Sequence, residues 1–274
     1  MSKKIRKVER YHGDEQDGKR HGFGTLVQPS RYYFVGHWQQ GLRHGTGTEV
    51  CPGEYYFVGE WRNDVKHGPG RHCFEDGREF LGDWNKGVCA SGTLKYGDGA
   101  VYQGEVDVEH WTKHGKGSWT LADGTLAFDG RWYHDQKHGL GYEVSDGVRF
   151  WQEWKHGEVL RTLEIRYADG SVYRGETQDQ KPHGQGQLRS PDGHTFYGCW
   201  RAGQKHGHGR VVNSAGTWIR MGVWEKDEWK KGTACVMHQG KPDVFMWVDH
   251  EGLQTPSVRQ TLEKLEQSLE RLTQ

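Results

Sequence analysis

The sequence predicts an all-β fold, an elongated single-layer solenoid of about ten stacked β-hairpins, on three observations. An aromatic and glycine motif recurs about every 23 residues. Glycine supplies 41 of the 274 residues, and 13 Trp, 12 Tyr and 9 Phe accompany it. The mean hydropathy is −0.97 while the net charge is zero, so the chain lacks the residues for one thick core but is not held open by charge repulsion. Together these features indicate a thin core repeated along the chain.

Each repeat begins with an aromatic residue that is followed two positions later by glycine. Eight units carry this pair in full, beginning at Tyr11, Phe34, Phe57, Phe80, Tyr102, Phe128, Tyr173 and Phe196. Two weaker copies begin at Phe150 and Arg220 and complete a series over about residues 11–240. A unit of this length cannot bury its apolar face alone, so stacking against its neighbours must do so.

The first half of each unit predicts a β-strand. In seven units a tryptophan lies two residues after the glycine or its replacement, as Trp38 does in the second unit. Aromatic, glycine and tryptophan at i, i+2 and i+4 share one face of a strand, because side chains alternate with a period of two. The glycine leaves a slot, in which we expect a ring from the neighbouring unit to lie against bare backbone.

The second half of each unit predicts a turn and a returning strand. A polar, glycine-bearing segment suited to a hairpin turn precedes the motif His-Gly-x-Gly. The motif occurs seven times, at His21, His44, His67, His114, His138, His183 and His206. Because a function needed once would not be placed seven times, we interpret the histidine as structural, with its imidazole hydrogen bonded to backbone across the stack. The fourth, seventh and tenth units lack the motif.

Several classes of protein are excluded by composition. No run of about 18 apolar residues exists that could form a transmembrane helix, and the basic start is not followed by the apolar region of a secretory signal. The five cysteines are odd in number and form no CxxC pair, which predicts a reducing, cytoplasmic setting rather than a disulfide framework. A pI of about 7.3 gives a nucleic-acid partner no electrostatic support.

The chain is predicted to comprise a basic tail at 1–10, the repeats at 11–240, a linker or cap at 241–254, and an amphipathic helix at 255–274. Thr255 and Pro256 suit the N-cap and the first turn of that helix. Its apolar seam has coiled-coil spacing and consists of Val258, Leu262, Leu265, Leu269 and Leu272. Two alternatives remain open. The helix covers the edge of the last hairpin, or it pairs with a helix of a partner or of a second copy in a homodimer.

The complete motif, Tyr/Phe-x-Gly-x-Trp-x-x-Gly-x-x-His-Gly-x-Gly, resembles the MORN (membrane occupation and recognition nexus) repeat. The resemblance covers about residues 11–240, and the layout is similar to that of small stand-alone MORN proteins of cilia, flagella and sperm. It implies a non-enzymatic scaffold that binds helices or tails of other proteins, in a cytoskeletal, ciliary or axonemal assembly or near a membrane. The fourth, seventh and tenth units depart from the family pattern and are candidate positions for bends or separate contacts.

The leading functional hypothesis is that a partner helix or peptide lies along a groove of aromatic rings, because large rings make good anchors. The predicted groove residues are Phe34, Trp38, Phe57, Trp61, Phe80, Trp84, Phe128, Trp132, Phe196 and Trp200. The alternative is that these rings only pack one unit against the next, since the fold itself needs most of them.

A second hypothesis concerns a column of basic residues, each directly before a repeat histidine. The column consists of Arg20, Arg43, Lys66, Lys113, Lys137 and Lys205. Acidic residues recur after the anchor glycine, at Asp14, Glu60, Asp83, Glu105 and Glu176. The basic column is a candidate site for anionic phospholipids or acidic protein tails, as in a peripheral membrane module. The alternative is mutual pairing of the two columns on a solvated surface.

Neither catalysis nor metal binding is predicted. His110 and His114, and likewise His134 and His138, are four residues apart, but they fall in predicted loops without a helix to align them. No nucleophile and base have supporting context, and the roughly 35 residues after the repeats are too few for a catalytic domain. We therefore expect no enzymatic activity, no metal and no cofactor.

Overall fold

The computed structural model describes residues 9–28, 32–216, 218–238 and 241–248. These ranges contain 21 β-strands and no helix, which confirms the all-β class. The chain divides within the seventh repeat into two compact units, Met1–Val144 with Trp154–Glu158, and Ser145–Glu153 with Val159–Gln274. The helix predicted at 255–274 lies outside the described residues.

The first unit contains twelve strands in a single layer, and each pairs antiparallel with the next along the chain. They are β1 (Arg10–Gln16), β2 (Lys19–Val27), β3 (Tyr33–Gln39), β4 (Leu42–Cys51), β5 (Tyr55–Arg62), β6 (Val65–Phe74), β7 (Glu79–Trp84), β8 (Ser91–Lys95), β9 (Val101–Asp107), β10 (Thr112–Thr120), β11 (Leu126–Tyr133) and β12 (Gln136–Ser145). Each predicted repeat is one hairpin of this series, from β1–β2 to β11–β12.

The chain divides before the last residue of β12 and again within β13 (Val148–Lys155) and β14 (Glu158–Arg166). In the second unit, antiparallel pairing runs from β14 to the last strand. The remaining strands are β15 (Val172–Gln178), β16 (Lys181–Arg189), β17 (Thr195–Arg201), β18 (Gln204–Val212), β19 (Trp218–Glu225), β20 (Glu228–His238) and β21 (Lys241–Val248). Residues 241–248, in the segment predicted as linker or cap, thus form a strand that pairs with β20.

A row of glycines crosses every strand of the first unit from β1 to β12, one glycine opposite the next. The row consists of Gly13, Gly24, Gly36, Gly47, Gly59, Gly70, Gly82, Gly92, Gly104, Gly117, Gly130 and Gly141. The second unit has its own row in β15 to β20, formed by Gly175, Gly186, Gly198, Gly209, Gly222 and Gly232. Each row is a strip of bare backbone along one unit.

The anchor ring of each repeat lies on this strip. A Cβ added at Gly47 would meet Cζ of Phe34 at 2.4 Å, and one added at Gly70 would meet Cζ of Phe57 at 2.4 Å. Phe34 and Gly47 belong to the same hairpin, β3–β4. At an anchor glycine such as Gly36 the expectation of a neighbouring unit's ring was therefore wrong, because Phe34 of the same strand lies there. A neighbouring ring does reach the glycine of the second strand, since Trp61 Nε1 donates a hydrogen bond to the Gly47 carbonyl at 3.4 Å.

The tryptophan of each repeat makes the ring contact between successive hairpins. The ring of Phe34 packs edge to face on Trp38 of its own strand and on Trp61 of the next hairpin, at centroid distances of 5.1 and 5.3 Å. In the second unit Phe196 contacts Trp200 and Trp224 in the same way, at 5.3 and 5.2 Å. Edge-to-face packing is a favoured arrangement of aromatic rings, and here it joins each repeat to the following one.

The His-Gly dipeptide forms a bulge in the second strand of the hairpin. Its glycine has a positive φ, as at Gly22 (62°) and Gly45 (70°), and the pairing register shifts beside it. A left-handed backbone of this kind favours glycine. The Nδ1 atoms of four repeat histidines are buried without a hydrogen-bond partner, so the predicted imidazole bond to backbone is missing at that atom. These are His21, His44, His114 and His138.

The acidic residue after the anchor glycine holds the bulge in place. Asp14 Oδ2 accepts a hydrogen bond from the Phe23 N–H at 3.2 Å, and Glu105 Oε1 accepts one from the Lys116 N–H at 3.0 Å. In the second unit Glu176 does the same for the Gln185 N–H at 3.1 Å. In these three hairpins the acidic column therefore satisfies backbone donors that the bulge would otherwise leave free.

Candidate functional site

The ten rings predicted to form a groove are all buried. The phenylalanines are 0–3% exposed and the tryptophans 3–7%, and each ring packs on others in its own unit. These rings constitute the core that holds successive hairpins together. Binding of a partner along them stays a prediction, and such a partner would meet little free ring surface.

The six basic residues of the column lie over these rings. Arg43 Cζ is 4.1 Å from the Trp61 ring centroid, Lys137 Nζ is 5.0 Å from that of Phe128, and in the second unit Lys205 Nζ is 5.4 Å from that of Phe196. Such cation–π contacts stabilise a cation that is partly withdrawn from water. The side chains in the first unit are only 12–29% exposed.

Carboxylates complete the environment of the column in the first unit. Glu49, whose side chain is 8% exposed, is 3.0 Å from Arg43 Nη1 and 3.1 Å from Lys66 Nζ. It also accepts a hydrogen bond from the Tyr32 hydroxyl. Burial lowers the pKa of Lys66, and the charge of Glu49 opposes that shift. A lipid or acidic tail would have to compete with these intramolecular partners, and its binding to the column stays a prediction.

Main-chain hydrogen bonds at the same residues link each turn to the preceding hairpin. The Asp64 N–H donates to the Arg43 carbonyl at 3.0 Å, while Asp64 Oδ1 accepts from the Arg43 N–H at 2.9 Å. Asp227 and Lys205 repeat this pair of bonds in the second unit. The basic column therefore occupies a structural position at the stacking edge of the hairpins.

Trp111 supplies a ring that the fifth repeat lacks at its usual position. Val106 stands at the position where seven other units have tryptophan. Phe80 therefore has no tryptophan of the next hairpin to pack against at that position. Trp111 comes from the β9–β10 turn and packs on Phe80 at 5.3 Å and on Trp84 at 6.0 Å. The sequence held a signal for this, since the step from Tyr102 to the next anchor is 26 residues rather than 23.

His72 lies in an aromatic box that Trp111 helps to form. Its ring centroid is 4.4 Å from those of Tyr55 and Trp111 and 4.5 Å from that of Phe74, and the residue is 2% exposed. Burial, reinforced by the charges of Lys66 and Arg78, lowers the pKa of His72 to about 3. His72 is therefore neutral in the folded protein at any pH near neutrality.

We expect His72 to make the first unit less stable in acid. The unfolded chain protonates this residue near pH 6.5, and the folded chain only near pH 3, so its stabilising contribution is complete above pH 6.5 and is lost as the pH falls towards 3. His72→Phe should weaken the pH dependence of the free energy of unfolding between pH 7 and pH 4, as measured by urea unfolding. Equal slopes for wild type and His72→Phe would contradict the assignment.

The opposite face of the first unit carries exposed apolar side chains. The outer patch consists of Phe23, Val35, Val58 and Leu81, which are 54%, 38%, 42% and 36% exposed. Val35 and Val58 both lie opposite Thr48 in the sheet register. Val58 and Leu81 likewise both lie opposite one residue, Arg71. The three aliphatic side chains therefore form a row that crosses the strands.

A shallow depression of about 450 Å³ lies within this patch. Phe23, Val35, Val58 and Pro69 line it together with the flat backbone of the glycine row. Sequence reasoning missed the patch because it weighed only the anchor, glycine and tryptophan positions. The signal was the residue between anchor and glycine, which is Val, Val and Leu in the second to fourth units. Exposed apolar clusters of this kind commonly mark binding surfaces.

The repeated hairpins define a β-solenoid of the binding-scaffold type, and the chain belongs to the MORN repeat family. The MORN repeat matches eight stretches that together cover more than half of the chain. They are residues 11–30, 34–53, 57–77, 80–101, 112–126, 128–147, 173–195 and 196–217. The two units that begin at Phe150 and Arg220 lie outside these stretches. The described part of the chain contains no helix long and apolar enough to cross a membrane.

Among curated proteins the chain is similar to Alsin. The similarity to Alsin of Rattus norvegicus is 28% identity over 141 residues, which is 50% of this chain and 7% of that protein. For Alsin of Homo sapiens it is 28% over 141 residues, 47% of this chain and 8% of that protein. The chain thus spans less than a tenth of the length of these relatives.

A solved structure with partial similarity is the TCP domain of SAS-4 (dCPAP) of Drosophila melanogaster, in complex with a proline-rich motif of Ana2 (dSTIL). The match has 11% identity and a TM-score of 0.37, and covers 57% of this chain and 84% of that chain.

Proposed function

We propose that the protein is a non-enzymatic scaffold that binds an amphipathic helix of a partner protein on the outer patch of its first unit. The observation that carries the proposal is the row of Val35, Val58 and Leu81 on the exposed face. Each of these side chains is separated from the next by two strand spacings, about 10 Å. Seven residues of α-helix rise about 10.5 Å, so a helix lying across the strands with apolar residues at heptad spacing matches the row.

The burial of the aromatic rings is the reason for placing the partner on this face. A helix on the ring face would have to displace the basic side chains from the tryptophans, whereas the apolar side chains of the outer patch are already exposed. Desolvation of Phe23 and the aliphatic row would favour binding, by roughly 25 cal/mol for each Å² of apolar surface removed from water. Assembly on the cytoskeleton or in a cilium follows from the family resemblance and stays a prediction.

Charge substitution in the row tests the proposal. Val35→Glu combined with Val58→Glu should reduce the apparent affinity for proteins captured by the wild type at least tenfold, about 1.4 kcal/mol. Both side chains point to solvent, so circular dichroism should show an unchanged fold. The readout is quantitative affinity capture with mass spectrometry, followed by titration of the captured partner's helix against the purified variants.

Leu140→Glu is the matched control, because Leu140 is 43% exposed and lies in the sixth hairpin, outside the patch. It should retain the partner. Trp61→Ala distinguishes the two faces, since it should destabilise the fold rather than remove a contact selectively. A partner that binds the double variant as tightly as it binds the wild type would refute the outer patch as its site.

A further inference from the structure

The turns of the fifth and sixth hairpins bring a carboxylate and two imidazoles together. The β9–β10 turn spans residues 108–111, whereas the β5–β6 and β11–β12 turns are only residues 63–64 and 134–135. Asp107 ends β9, His110 lies in the longer turn, and His134 begins the turn of the next hairpin. The extra length of the fifth turn thus places His110 beside the sixth.

The ligand atoms of these three residues converge on one point. Asp107 Oδ2 is 2.8 Å from His110 Nδ1 and 3.8 Å from His134 Nδ1, and one ligand atom from each of the three residues lies within 4.8 Å of the others. In a tetrahedral zinc site with bonds of about 2.0–2.1 Å, neighbouring ligand atoms are about 3.4 Å apart. The two shorter distances bracket that value, so small side-chain rotations suffice to close the site.

We propose that Asp107, His110 and His134 form a binding site for a zinc-class divalent metal ion that joins the turns of the fifth and sixth hairpins. The donor set of two imidazoles and one carboxylate suits Zn²⁺, Co²⁺, Ni²⁺ or Cu²⁺ and does not suit Ca²⁺ or Mg²⁺, which prefer oxygen ligands alone. The His110 and His134 side chains are 60% and 46% exposed, so water can complete the coordination.

The pairs considered from the sequence, His110 with His114 and His134 with His138, do not form this site. The structure instead combines one histidine of each pair with Asp107. The hydrogen bond between Asp107 Oδ2 and His110 Nδ1 holds these two side chains together before a metal ion binds. No spacing within one turn could have predicted the site, because it is completed by the stacking of two hairpins.

The site also has a structural consequence for the fourth repeat. His110 directly precedes Trp111, the ring that replaces the missing tryptophan at Val106. A metal ion held by the β9–β10 turn would bind only the folded arrangement, and would therefore stabilise it in proportion to the logarithm of its free concentration. The metal ion is thereby expected to strengthen the contact of Trp111 with Phe80 and Trp84.

Titration of the untagged full-length protein with Zn²⁺, by calorimetry, tests the proposal, with Co²⁺ absorption as an independent report of tetrahedral coordination. His134→Asn is the sharpest variant, because Asn63 holds the same position in the third repeat with a similar positive φ, 51° against 44°. His110→Ala removes a second ligand. Each should weaken the wild-type binding of one Zn²⁺ at least tenfold and abolish the Co²⁺ bands.

The matched control is Asp192→Asn, because Asp192 pairs with His194 at 2.8 Å in another turn, as Asp107 does with His110, but belongs to no such three-ligand cluster among the described residues. It should bind Zn²⁺ as the wild type does. The proposal is overturned if the wild type binds no Zn²⁺, if His134→Asn and His110→Ala bind it as tightly as the wild type, or if the control loses it equally.

Discussion

Replacing Trp111 with alanine is expected to lower the free energy of unfolding of the first unit by about 3 kcal/mol, the lower end of the range for tryptophan in a core. The ring contacts Phe80, Trp84 and Phe74, and the carbonyl of Trp111 accepts a hydrogen bond from Arg78. Loss of the Trp111 ring would uncover Phe80. Among the anchor rings of the first four repeats, Phe80 alone has no tryptophan at the regular position of the following repeat, where Val106 stands instead. Urea unfolding followed by circular dichroism measures the effect.

A rescue experiment separates this specific role from a general loss of apolar area. Val106→Trp in the Trp111→Ala background restores the repeat motif and should recover part of the lost free energy, because the new ring stands where Trp61 and Trp84 stand in their units. Tyr133→Ala is the control, since this aromatic residue is the last of β11 and is 43% exposed, and it should cost less than about 1 kcal/mol. If Trp111→Ala lowers the free energy of unfolding no more than Tyr133→Ala does, Trp111 does not replace the missing tryptophan of the fifth repeat.

The hairpins could be predicted from sequence because their signals are local. Aromatic, glycine and tryptophan two residues apart must share a strand face, and the polar segment before His-Gly must turn. These constraints predicted the first strand of the hairpin, such as Tyr33–Gln39, without any knowledge of which residues meet across the sheet. They placed the returning strand after Gly-x-Gly, whereas β4 begins before that motif, at Leu42, and includes it. The family follows from the same spacing.

The identity of contacting rings could not be predicted, because it depends on register. The bulge at His-Gly decides that Gly36 lies opposite Gly47, and this pairing places both under Phe34. The position of Arg43 over Trp61 likewise depends on how far apart two successive hairpins lie. That distance is set by tertiary packing and cannot be read from the sequence. From the sequence alone, basic residues beside a repeat motif indicate a ligand-binding column. In the structure these residues contact the core rings.

The candidate binding surfaces were missed for two different reasons. The outer patch had a sequence signal at Val35, Val58 and Leu81, but single aliphatic residues on an exposed strand face are common and do not by themselves indicate a site. The cluster of Asp107, His110 and His134 had none, because its members come from turns more than twenty residues apart. Only the stacking of hairpins brings them together.

Replacing a glycine of the row with alanine is expected to lower the free energy of unfolding, which is the opposite of the usual effect of Gly→Ala in a strand. Glycine within a strand ordinarily costs stability relative to alanine, so Gly→Ala should stabilise a strand with free space. At Gly36 a Cβ would meet the Gly47 Cα at 2.4 Å and the Thr46 carbonyl oxygen at 2.6 Å. These are backbone atoms that cannot rotate away. Gly36→Ala should therefore lower the free energy of unfolding by about 3 kcal/mol, at the upper end of typical overpacking penalties.

Gly97 provides the matched position, since a Cβ there has nothing within 4 Å and its φ is not left-handed. The decisive measurement is the difference in the free energy of unfolding between Gly36→Ala and Gly97→Ala, each against wild type, in urea with circular dichroism detection. If each hairpin lays its own ring on a strip of bare backbone, Gly36→Ala is strongly destabilised while Gly97→Ala is unchanged or gains up to about 1 kcal/mol. Equal stability of the two variants would contradict that account of the core and, with it, the assignment of the opposite face as the free surface.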